Sequence, residues 1–386
     1  MPSLRLNLVD SIDDVPADGW DRLAAGASPF LSREFLSLLE DSGALAESGW
    51  RPVYALLTDG DALAACAPFY LAASSAGQFT WDDGMEDAAR SLGKRWFPKL
   101  VGMVPFTPAP VWRVLGGPAP VLLSGMEHFA CEGGLSGLHL QWTDPAFMPG
   151  DGWIPWRRQA YRWENRPWLD FDEYLGSFSK NMRRNVLRDR AAVAAAGIET
   201  RILRGDEADP SFWPLMERYY TRTNDKFGPW AARFLPPAFF RLARERLGPA
   251  ALFSAAFRAG HDEPIALALL FQGGAGLWGR YWGSAEDLDG LHFETCYYRP
   301  IEYAIGRGLS FFDPGMGGHH KARRGFRAVM AASWHRVFDR RLSAMFASAT
   351  AAASVEEAGF ADELNAELPF KDDGAGLRTG FSVSAP

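Results

Sequence analysis

The sequence predicts a protein of mixed α/β (α+β) class, with two lobes that each hold a mixed, largely antiparallel sheet flanked by helices. Two observations favour this class. Helical patterns, a run of strand-like segments, a further helix and a final strand follow in the same order in both halves of the chain, which indicates a duplicated unit. The length of 386 residues also exceeds what one ordinary core holds.

The first predicted lobe, residues 1–165, opens with a capped helix. Ser32 precedes the apolar pattern Arg33–Asp41 and Gly43 follows it, as hydroxyl residues begin helices and glycines end them. The strand-like runs of this lobe are Pro52–Thr58, Ala62–Ala72, Leu138–Trp142 and Gln159–Phe171. An Asp-Gly pair between the first two runs predicts a β-hairpin.

The second predicted lobe, residues 166–340, repeats this order. Its predicted helices are Asp172–Ala196, Pro210–Arg222, Pro237–Leu247 and Phe293–Gly306, and its predicted strands are Ala251–Arg258, Pro264–Gln272, Gly276–Ser284 and Leu309–Asp313. Pro300 predicts a kink or boundary near Tyr298, because proline lacks an amide hydrogen. We expect a C-terminal helix at residues 341–370, and residues 371–386 have the composition of a frayed tail.

Composition excludes several classes of protein. The net charge of −7 excludes a polyanion-binding protein by overall charge, so that any phosphate contact needs a local basic patch. Three scattered cysteines, Cys66, Cys131 and Cys296, are typical of reduced thiols and argue against a disulfide scaffold. The sequence has no signal-peptide pattern and no apolar run of about 18 residues, the length of a membrane span. These features predict a cytoplasmic location.

A strongly basic segment begins the second lobe. Between Lys180 and Arg190 stand five basic residues and one acid, with Lys180, Arg184 and Arg188 at helical spacing and Arg183 beside them. Like charges four residues apart destabilise an isolated helix, and a bound anion would reverse that effect. The alternative is a solvated helix face, which is common.

A second candidate segment is Gly279–Gly283, followed by His292 and Glu294. Strand alternation predicts that Arg280 and Trp282 project to one side and Tyr281 to the other, and the two glycines would leave room for a ligand. Histidine has the side-chain pKa nearest neutrality, which suits proton transfer. The alternative is a buried structural network in which Arg280 pairs with Glu294 beside His292.

The most specific segment is Asp313–Phe326. A strand that ends in a glycine-rich turn exposes backbone amides, which can hold a phosphate or an oxyanion. The candidate residues of this segment are Asp313, Gly315, Gly317, Gly318, His320, Lys321 and Arg324. The two adjacent histidines have no cysteine or carboxylate at a ligand-like offset beyond Asp313, so we predict no metal site.

These three segments resemble a bacterial family labelled FemAB-like or DUF482, within the acetyltransferase (GNAT) superfamily. The resemblance lies along Ser28–Gly43, Phe106–Pro108, Gly279–Gly283, Leu291–Ile305 and His320–Phe326. The second half is also similar to the Fem peptidyltransferases, which transfer amino acids from aminoacyl-tRNA to peptidoglycan precursors. The resemblance implies a tandem GNAT fold with the substrate groove between or beside the lobes.

Two departures bear on substrate and donor. The family usually has Gln and Glu in the glycine turn, where this chain has Gly317 and His319. The pyrophosphate loop of acetyl-CoA enzymes is also missing, because Pro118 interrupts its nearest match, Arg113–Pro118. We therefore expect no tightly bound cofactor and an aminoacyl-tRNA donor in preference to acetyl-CoA.

The leading functional hypothesis is a Fem-like acyl- or aminoacyltransferase that forms an amide bond on the amine of a small molecule or peptide, with tRNA as a partner. We assign His292 or His320 as base, Glu294 as the residue that orients it, and Lys321 with the Gly315–Gly318 amides as oxyanion or phosphate contacts. The predicted substrate-binding residues are Lys180, Arg183, Arg184, Arg280, Tyr281, Trp282, Asp313, Gly315, Gly317, Gly318 and Arg324. The alternatives are an acetyl-CoA-dependent N-acetyltransferase and a non-catalytic binding module with the same fold.

Overall fold

The computed structural model describes residues 4–80 and 82–371. Its helices are α1 (Ala17–Ala24), α2 (Arg33–Asp41), α3 (Ala44–Glu47), α4 (Asp83–Ser91), α5 (Ala119–Glu132), α6 (Phe171–Gly176), α7 (Lys180–Ala195), α8 (Phe212–Asp225), α9 (Pro237–Leu247), α10 (Leu291–Phe293), α11 (Arg299–Gly306) and α12 (Arg340–Ala366). Its strands are β1 (Leu4–Val9), β2 (Trp50–Asp59), β3 (Ala62–Ala72), β4 (Lys99–Gly102), β5 (Leu115–Gly116), β6 (Gly137–Thr143), β7 (Ile154–Glu164), β8 (Ile198–Arg204), β9 (Ala251–Arg258), β10 (Pro264–Gly273), β11 (Gly276–Ser284), β12 (Phe311–Asp313) and β13 (Arg327–Val337).

The described strands form one continuous sheet in the order β1-β2-β3-β4-β6-β13-β7-β12-β11-β10-β9-β8, with β5 beside β3. The two halves of this order correspond. Each half has an antiparallel hairpin, β2–β3 or β9–β10, and a parallel pair, β4–β6 or β11–β12, whose crossover connection contains a helix. This architecture confirms the predicted duplicated α/β plan with helices flanking a mostly antiparallel sheet.

The last strand of each half of the chain pairs with strands of the other half. Strand β7 follows β6 in the chain but pairs with β12, whereas β13 follows β12 and pairs with β6. Strands β7 and β13 also pair with each other over nine residues, from Arg327↔Arg162 to His335↔Ile154. The sheet therefore runs across the predicted boundary at 165/166, and the division into separate lobes stays a prediction.

Local signals located several elements well. The Ser32 hydroxyl accepts a hydrogen bond from the Phe35 amide at 3.2 Å and caps α2 at the predicted bounds. Gly43 follows with φ of +80°, a conformation that favours glycine. The predicted hairpin is β2–β3, with Gly60 at φ of +59° in its turn.

The predicted helix Asp172–Ala196 is two helices, α6 and α7. The break between them contains Phe178, which is buried and lies edge-on to Phe370 with ring centroids 5.4 Å apart. The Ser179 amide donates to the Pro369 carbonyl at 2.7 Å. A tertiary contact with the chain after α12 therefore interrupts a pattern that is continuous in sequence.

The predicted irregularity near Tyr298 is confirmed. Residues Glu294–Tyr298 form a π-helical turn between α10 and α11, and Pro300 lies in the first turn of α11. Single π turns within helices often occur at functional sites.

The aromatic residues mainly form the core. Seven of the largest fully buried side chains are tryptophans: Trp20, Trp50, Trp96, Trp112, Trp142, Trp163 and Trp213. The main cluster spans both halves, since Phe30 packs edge-on against Phe271 and Trp278 with centroid separations of 5.1 and 5.9 Å. The two halves therefore share the main core cluster.

The C-terminal helix was predicted at residues 341–370 and is α12, Arg340–Ala366. Apart from Lys371, the predicted tail lies outside the described residues. Within the described part of the chain, no helix combines the length and apolar character that a membrane crossing requires.

Candidate functional site

The candidate site begins where two parallel strands diverge. Strands β11 and β12 pair only between Gly276–Trp278 and Phe311–Asp313, although β11 continues to Ser284. Among the described residues, the second half of β11 thus has no strand partner on its β12 side. The turn after Asp313 and the start of α10 lie at this divergence.

Arg280 is the extra residue of a β-bulge. Leu269 pairs with Tyr281 and Leu270 with Gly279, which leaves Arg280 without an opposite residue on β10. A bulge reverses the alternation of side chains beyond it. The expectation that Arg280 and Trp282 share a side is therefore wrong.

The side chains of Tyr281 and Trp282 confirm this reversal. Tyr281 is buried in the main core against Tyr220, with ring centroids 5.5 Å apart. Trp282 packs in the clusters on the other face and lies edge-on to His292, with centroids 4.9 Å apart. Of the two predicted substrate-binding aromatics, only Trp282 lies beside a candidate catalytic residue.

The Arg280 guanidinium forms a bidentate ion pair with Asp313, with both N–O distances 3.0 Å. Its Nε donates to the Thr107 hydroxyl of the first half at 2.7 Å, and its side chain is only 3% exposed. The partner considered in the sequence analysis, Glu294, is thus incorrect. Arg280 ties the two diverging strands to the first half of the chain.

The flanking glycines serve packing. A Cβ atom on Gly283 would lie 2.2 Å from the Tyr219 carbonyl oxygen of α8, and one on Gly279 would lie 3.2 Å from the Phe312 ring. The room expected for a ligand at Gly283 is occupied by the α8 backbone.

The glycine turn has the backbone that its composition predicts. Gly315, Gly317 and Gly318 have φ values of +80°, +71° and +84°, and the Gly315 amide donates to Asp313 Oδ1 at 2.8 Å. A Cβ atom on Gly318 would lie 2.5 Å from the His320 ring. The absence of a side chain at Gly318 therefore permits the observed position of His320.

Lys321 is buried beneath this turn. Its Nζ donates to the carbonyls of Gly315 and Met316 at 2.9 and 2.8 Å. Burial lowers the pKa of Lys321 to about 7, against the attraction of Asp313. Two donors of the lysine thus hold the turn, and a third N–H is present only in the protonated form.

Two histidines meet through a tyrosine hydroxyl. The Tyr297 Oη atom lies 3.2 Å from Nε2 of His292 and 3.1 Å from Nε2 of His320. On the other side of the ring, Nδ1 of His292 lies 3.5 Å from the Cys296 sulfur. The elements that bring this group together are the α10–π turn and the 3₁₀ turn His319–Arg324.

Both histidines are held in the neutral form. Burial and the neighbouring positive charges lower the pKa of His292 to about 3 and that of His320 to about 4. Burial also raises the pKa of the Cys296 thiol well above its usual value. Near neutral pH the cluster therefore offers imidazole nitrogens that can accept a proton.

The basic helix α7 meets the 3₁₀ turn His319–Arg324 through its one acid. Asp189 Oδ2 accepts from Arg324 Nη2 at 3.0 Å and from the Tyr298 hydroxyl at 2.8 Å. Arg324 Nη1 in turn donates to the His320 carbonyl at 3.0 Å. The structure thus joins the C-terminal part of α7 to the 3₁₀ turn that follows the glycine turn.

The N-terminal part of α7 makes no such contact. Lys180, Arg183 and Arg184 are exposed, and Arg184 bonds Asn181 on its own helix at 3.3 Å. No hydrogen bond joins these three residues to the glycine turn among the described residues. They form a basic outer surface, separate from the buried cluster.

Glu294 lies away from both histidines. Its Oε1 accepts from the Thr200 hydroxyl at 3.1 Å and from Arg190 Nη2 at 3.2 Å. The role assigned to it, orientation of a catalytic histidine, has no contact to support it.

Four residues of the site were not predicted from the sequence: Tyr297, Cys296, Asp189 and Thr107. His292 and Cys296 are spaced i, i+4 at the entry to the predicted helix Phe293–Gly306, a spacing that places two residues on one helical face, and Asp189 is the lone acid of the basic segment. Both signals were available in the sequence, whereas the contact of Thr107 with Arg280 depends on the packing of the two halves. In the described residues, no group of three or more His, Cys, Asp and Glu residues could hold a metal ion.

The corresponding region of the first half is filled. A Cβ atom on Gly102, where β4 ends, would lie 2.5 Å from the Trp112 ring, and Trp112 is fully buried with its Nε1 donating to the Pro68 carbonyl at 2.9 Å. In the second half, the polar cluster of His292, Tyr297 and His320 lies where the parallel strands diverge. In the first half, the buried Trp112 ring fills the corresponding position.

Two similar halves, a shared sheet and a diverging parallel pair define a tandem GNAT-like protein. The model of the FemAB-like family, described as peptidoglycan biosynthesis/recognition, matches residues 11–372. The chain belongs to this family, and the prediction of an acyltransferase enzyme of FemAB-like type is confirmed. The narrower DUF482 label stays a prediction.

Several solved structures are similar to this chain at low sequence identity. FemX is 11% identical with a TM-score of 0.51, and the match covers 88% of this chain and 100% of that chain. L-PGS from Bacillus licheniformis is 11% identical, with a TM-score of 0.48 and coverage of 81% and 94%. A tandem GNAT protein from the clavulanic acid biosynthesis pathway is 11% identical, with a TM-score of 0.43 and coverage of 87% and 98%. A comparison with curated proteins gives no match.

Proposed function

We propose that this enzyme transfers an activated acyl or aminoacyl group to an amine and forms an amide bond. The amine nitrogen attacks the acyl carbon, a tetrahedral oxyanion forms, and its collapse breaks the bond between the acyl carbon and the donor. The attacking amine loses one proton, and the leaving group of the donor accepts one. The enzyme must align the reactants, stabilise the oxyanion and move this proton.

The observation that carries the proposal is the Tyr297 hydroxyl between His292 and His320. One neutral imidazole accepts the amine proton, and a proton can then move through the Tyr297 hydroxyl to the second imidazole. This relay is possible because all three groups are within hydrogen-bond distance. Both histidines are partly exposed, so that a substrate can reach one of them. His292 and His320 are the proposed bases, and Tyr297 joins them.

Lys321 is the proposed electrostatic contact for the oxyanion. Its buried ammonium is surrounded by little water, which strengthens any interaction with a developing negative charge. With two N–H groups donating to Gly315 and Met316, the third N–H of the charged form is the one that can bind the oxyanion.

An aminoacyl-tRNA is the donor that we propose. The exposed Lys180, Arg183, Arg184 and Arg188 on α7 offer a surface for a phosphate backbone. The family description, peptidoglycan biosynthesis/recognition, supports an acceptor related to peptidoglycan. A peptide of peptidoglycan with a free amine is the acceptor that we propose. A cytoplasmic location, where charged tRNA is present, is part of this proposal.

Acetyl-CoA remains the second candidate donor, and one contact disfavours it. A helix that follows a diverging strand can hold pyrophosphate on its first amides. Here a Cβ atom on Gly290, which precedes α10, would lie 2.7 Å from the Asp189 carbonyl oxygen. Helix α7 thus covers the start of α10.

The test uses purified full-length protein with labelled aminoacyl-tRNA or acetyl-CoA and a peptidoglycan stem peptide that carries a free amine. We expect the label to move from aminoacyl-tRNA to the peptide, and Lys321→Met to lower the rate by at least about a hundredfold. Lys226→Met, at an exposed lysine, is the matched control. Equal rates for Lys321→Met and the parent protein would contradict the role of Lys321.

Acetyl-CoA is tested by binding as well as by turnover. A ligand that binds the folded state raises the melting temperature. A rise with acetyl-CoA, together with acetyl transfer to the peptide, would replace our proposed donor by the alternative.

A further inference from the structure

A cleft that excludes the two histidines lies beside the π turn, where Glu294 contributes to its wall. Its volume is about 600 Å³, within the range of about 300–1,000 Å³ that small-molecule sites occupy. Its walls come from α7, β8, the π turn and α11, and none of them comes from the glycine turn. The lining residues are Arg190, Ala191, Val193, Ala194, Ile198, Glu199, Thr200, Arg201, Glu294 and Arg299.

Two arginines of this cleft are held in place by carboxylates. Arg190 lies 3.1 Å from Glu294 and 3.0 Å from Glu302, and Arg299 lies 3.1 Å from Glu302. Glu294 is buried, with 5% of its side chain exposed, whereas the two arginines retain 25% and 30% exposure. The carboxylates thus fix the guanidinium groups while leaving them open to solvent on one side.

Part of each guanidinium is unused. Arg190 donates through Nη2 to Glu294 and Glu302, and its Nε lies 3.1 Å from Glu294 Oε2 in an ion pair. Arg299 donates through Nε to the Thr200 hydroxyl and through Nη1 to Glu302. In the described part of the chain, Nη1 of Arg190 and Nη2 of Arg299 donate to no residue. Each of these atoms carries two N–H groups, which can donate charge-assisted hydrogen bonds to an anion.

The rest of the cleft is apolar on one side. Ala191 and Ala194 are exposed along α7, and Val193 and Ile198 are buried beneath them. The charges of the polar side, including Glu302, balance: three arginines, Arg190, Arg201 and Arg299, face three glutamates, Glu199, Glu294 and Glu302. The cleft thus has no net charge, and an anion would be held by direct hydrogen bonds from the free N–H groups of Arg190 and Arg299.

We propose that this cleft is a binding site for a small organic anion, whose carboxylate or phosphate is bound by Arg190 and Arg299 and whose apolar part lies against Ala191 and Ala194. This site is separate from the reaction centre, and the proposal does not depend on the proposed function. It also gives Glu294 a different role from the one assigned in the sequence analysis, since Glu294 holds Arg190 for the ligand.

The test measures binding of defined probes to the full-length protein by isothermal titration calorimetry. N-acetyl-leucine supplies a carboxylate on an apolar body, N-acetyl-leucinamide is its uncharged counterpart, and phenyl phosphate supplies a phosphate. We expect saturable binding of at least one anion and none of the amide. The anion that binds more tightly identifies the carboxylate or the phosphate as the recognised group.

Two variants locate the site. Arg299→Gln removes the free N–H groups, and Ala194→Leu fills the cleft while leaving every charged residue in place; each should weaken binding at least tenfold. Ala192→Leu, on the same helix but outside the cleft, should bind like the parent protein. Melting curves of all variants establish that they are folded.

Three results would overturn the proposal. They are the absence of saturable binding by both anions, equal binding of the amide and the acid, and unchanged binding in Ala194→Leu. Since none of these measurements involves turnover, they leave the proposed transferase activity to its own test.

Discussion

The guanidinium of Arg280 lies against the carboxylate of Asp313, with Nη1–Oδ1 and Nη2–Oδ2 distances of 3.0 Å each. Asp313 is the last residue of β12 that pairs with β11, and Arg280 is the bulge residue just beyond the paired part of β11. The ion pair therefore stands at the point where the two strands separate. Its contact with Thr107 also connects this point to the first half of the chain.

Replacing Arg280 with lysine should destabilise the protein. A lysine cannot keep two parallel bonds to Asp313 and a third to Thr107, and the pair is buried, so we expect the free energy of unfolding to fall by about 2–4 kcal/mol. Denaturant unfolding measures this change. Arg246→Lys, at the more exposed ion pair with Asp41, should lower the free energy of unfolding by less than about 1 kcal/mol. Equal losses in the two variants would show that the buried bidentate pair contributes no more stability than the exposed one.

Replacing Tyr297 with phenylalanine should lower the rate of acyl transfer at least about tenfold, because the variant loses the hydroxyl between the two proposed bases. The ring and its packing remain, so the melting temperature should change little. The control is Tyr303→Phe on α11, which removes a hydroxyl that donates to Gln272 Oε1 at 2.7 Å. This variant should leave the rate unchanged. A Tyr297→Phe enzyme with parental kcat and KM would rule out the relay.

Alanine at Gly318 should impair the enzyme more than alanine at Gly317. Both glycines have positive φ, and such a conformation costs an L-residue about 1–2 kcal/mol. Only at Gly318 would the new methyl group meet the His320 ring, since a Cβ atom on Gly317 has no neighbour within 4 Å. Acyl-transfer rates and unfolding free energies of the two variants measure the difference. Indistinguishable rates would show that His320 takes no part in the reaction.

Acid should destabilise the protein partly through a buried histidine pair. His139 and His335 lie with their Nδ1 atoms 2.8 Å apart; burial lowers the pKa of His335 to about 3 and that of His139 well below its usual value. Between the folded values and about 6.5, the unfolded chain binds more protons. The contribution of this histidine pair to the free energy of unfolding is therefore fully present above about pH 6.5 and decreases as the pH falls.

The slope of unfolding free energy against pH measures this effect between pH 7.5 and 5. Each histidine adds up to about 1.4 kcal/mol per pH unit. His335→Asn should make the curve shallower in this window, whereas His261→Asn, at an exposed histidine, should leave the slope unchanged. A parental slope in His335→Asn would show that the pair does not titrate on unfolding.

Much of the candidate site was predicted by local pattern. The glycine turn after Asp313, the adjacent His320 and Lys321, and Arg324 all lie at the predicted place in the chain, because positive-φ glycines and the end of a strand are signals carried by neighbouring residues. The same signals could not predict that Lys321 donates to the turn carbonyls. That contact depends on the burial of the turn against the sheet.

Other assignments required the tertiary arrangement. Glu294 follows His292 by two residues, yet the π turn directs it to Arg190 and Thr200. Trp282 was expected on the same face of the sheet as Arg280, and Tyr281 on the opposite face. The extra residue of the bulge on β11 reverses these positions. A single inserted residue leaves no distinct mark in a strand of apolar and glycine residues, so alternation by itself misplaces every side chain beyond it.

By itself, the sequence determined the duplicated α/β plan, the capped helix α2, the hairpin β2–β3 and the glycine turn, because caps, turns and periodicity act over a few residues. Only the tertiary structure decided that β7 and β13 exchange halves, that Arg280 pairs with Asp313, and that Asp189 joins α7 to Arg324. Arg280 and Asp313 are 33 positions apart and Arg324 and Asp189 are 135 apart, and the bond of Thr143 on β6 to the Ala332 carbonyl on β13 spans 189. Their partners are selected by packing of the whole chain, for which local patterns carry no signal.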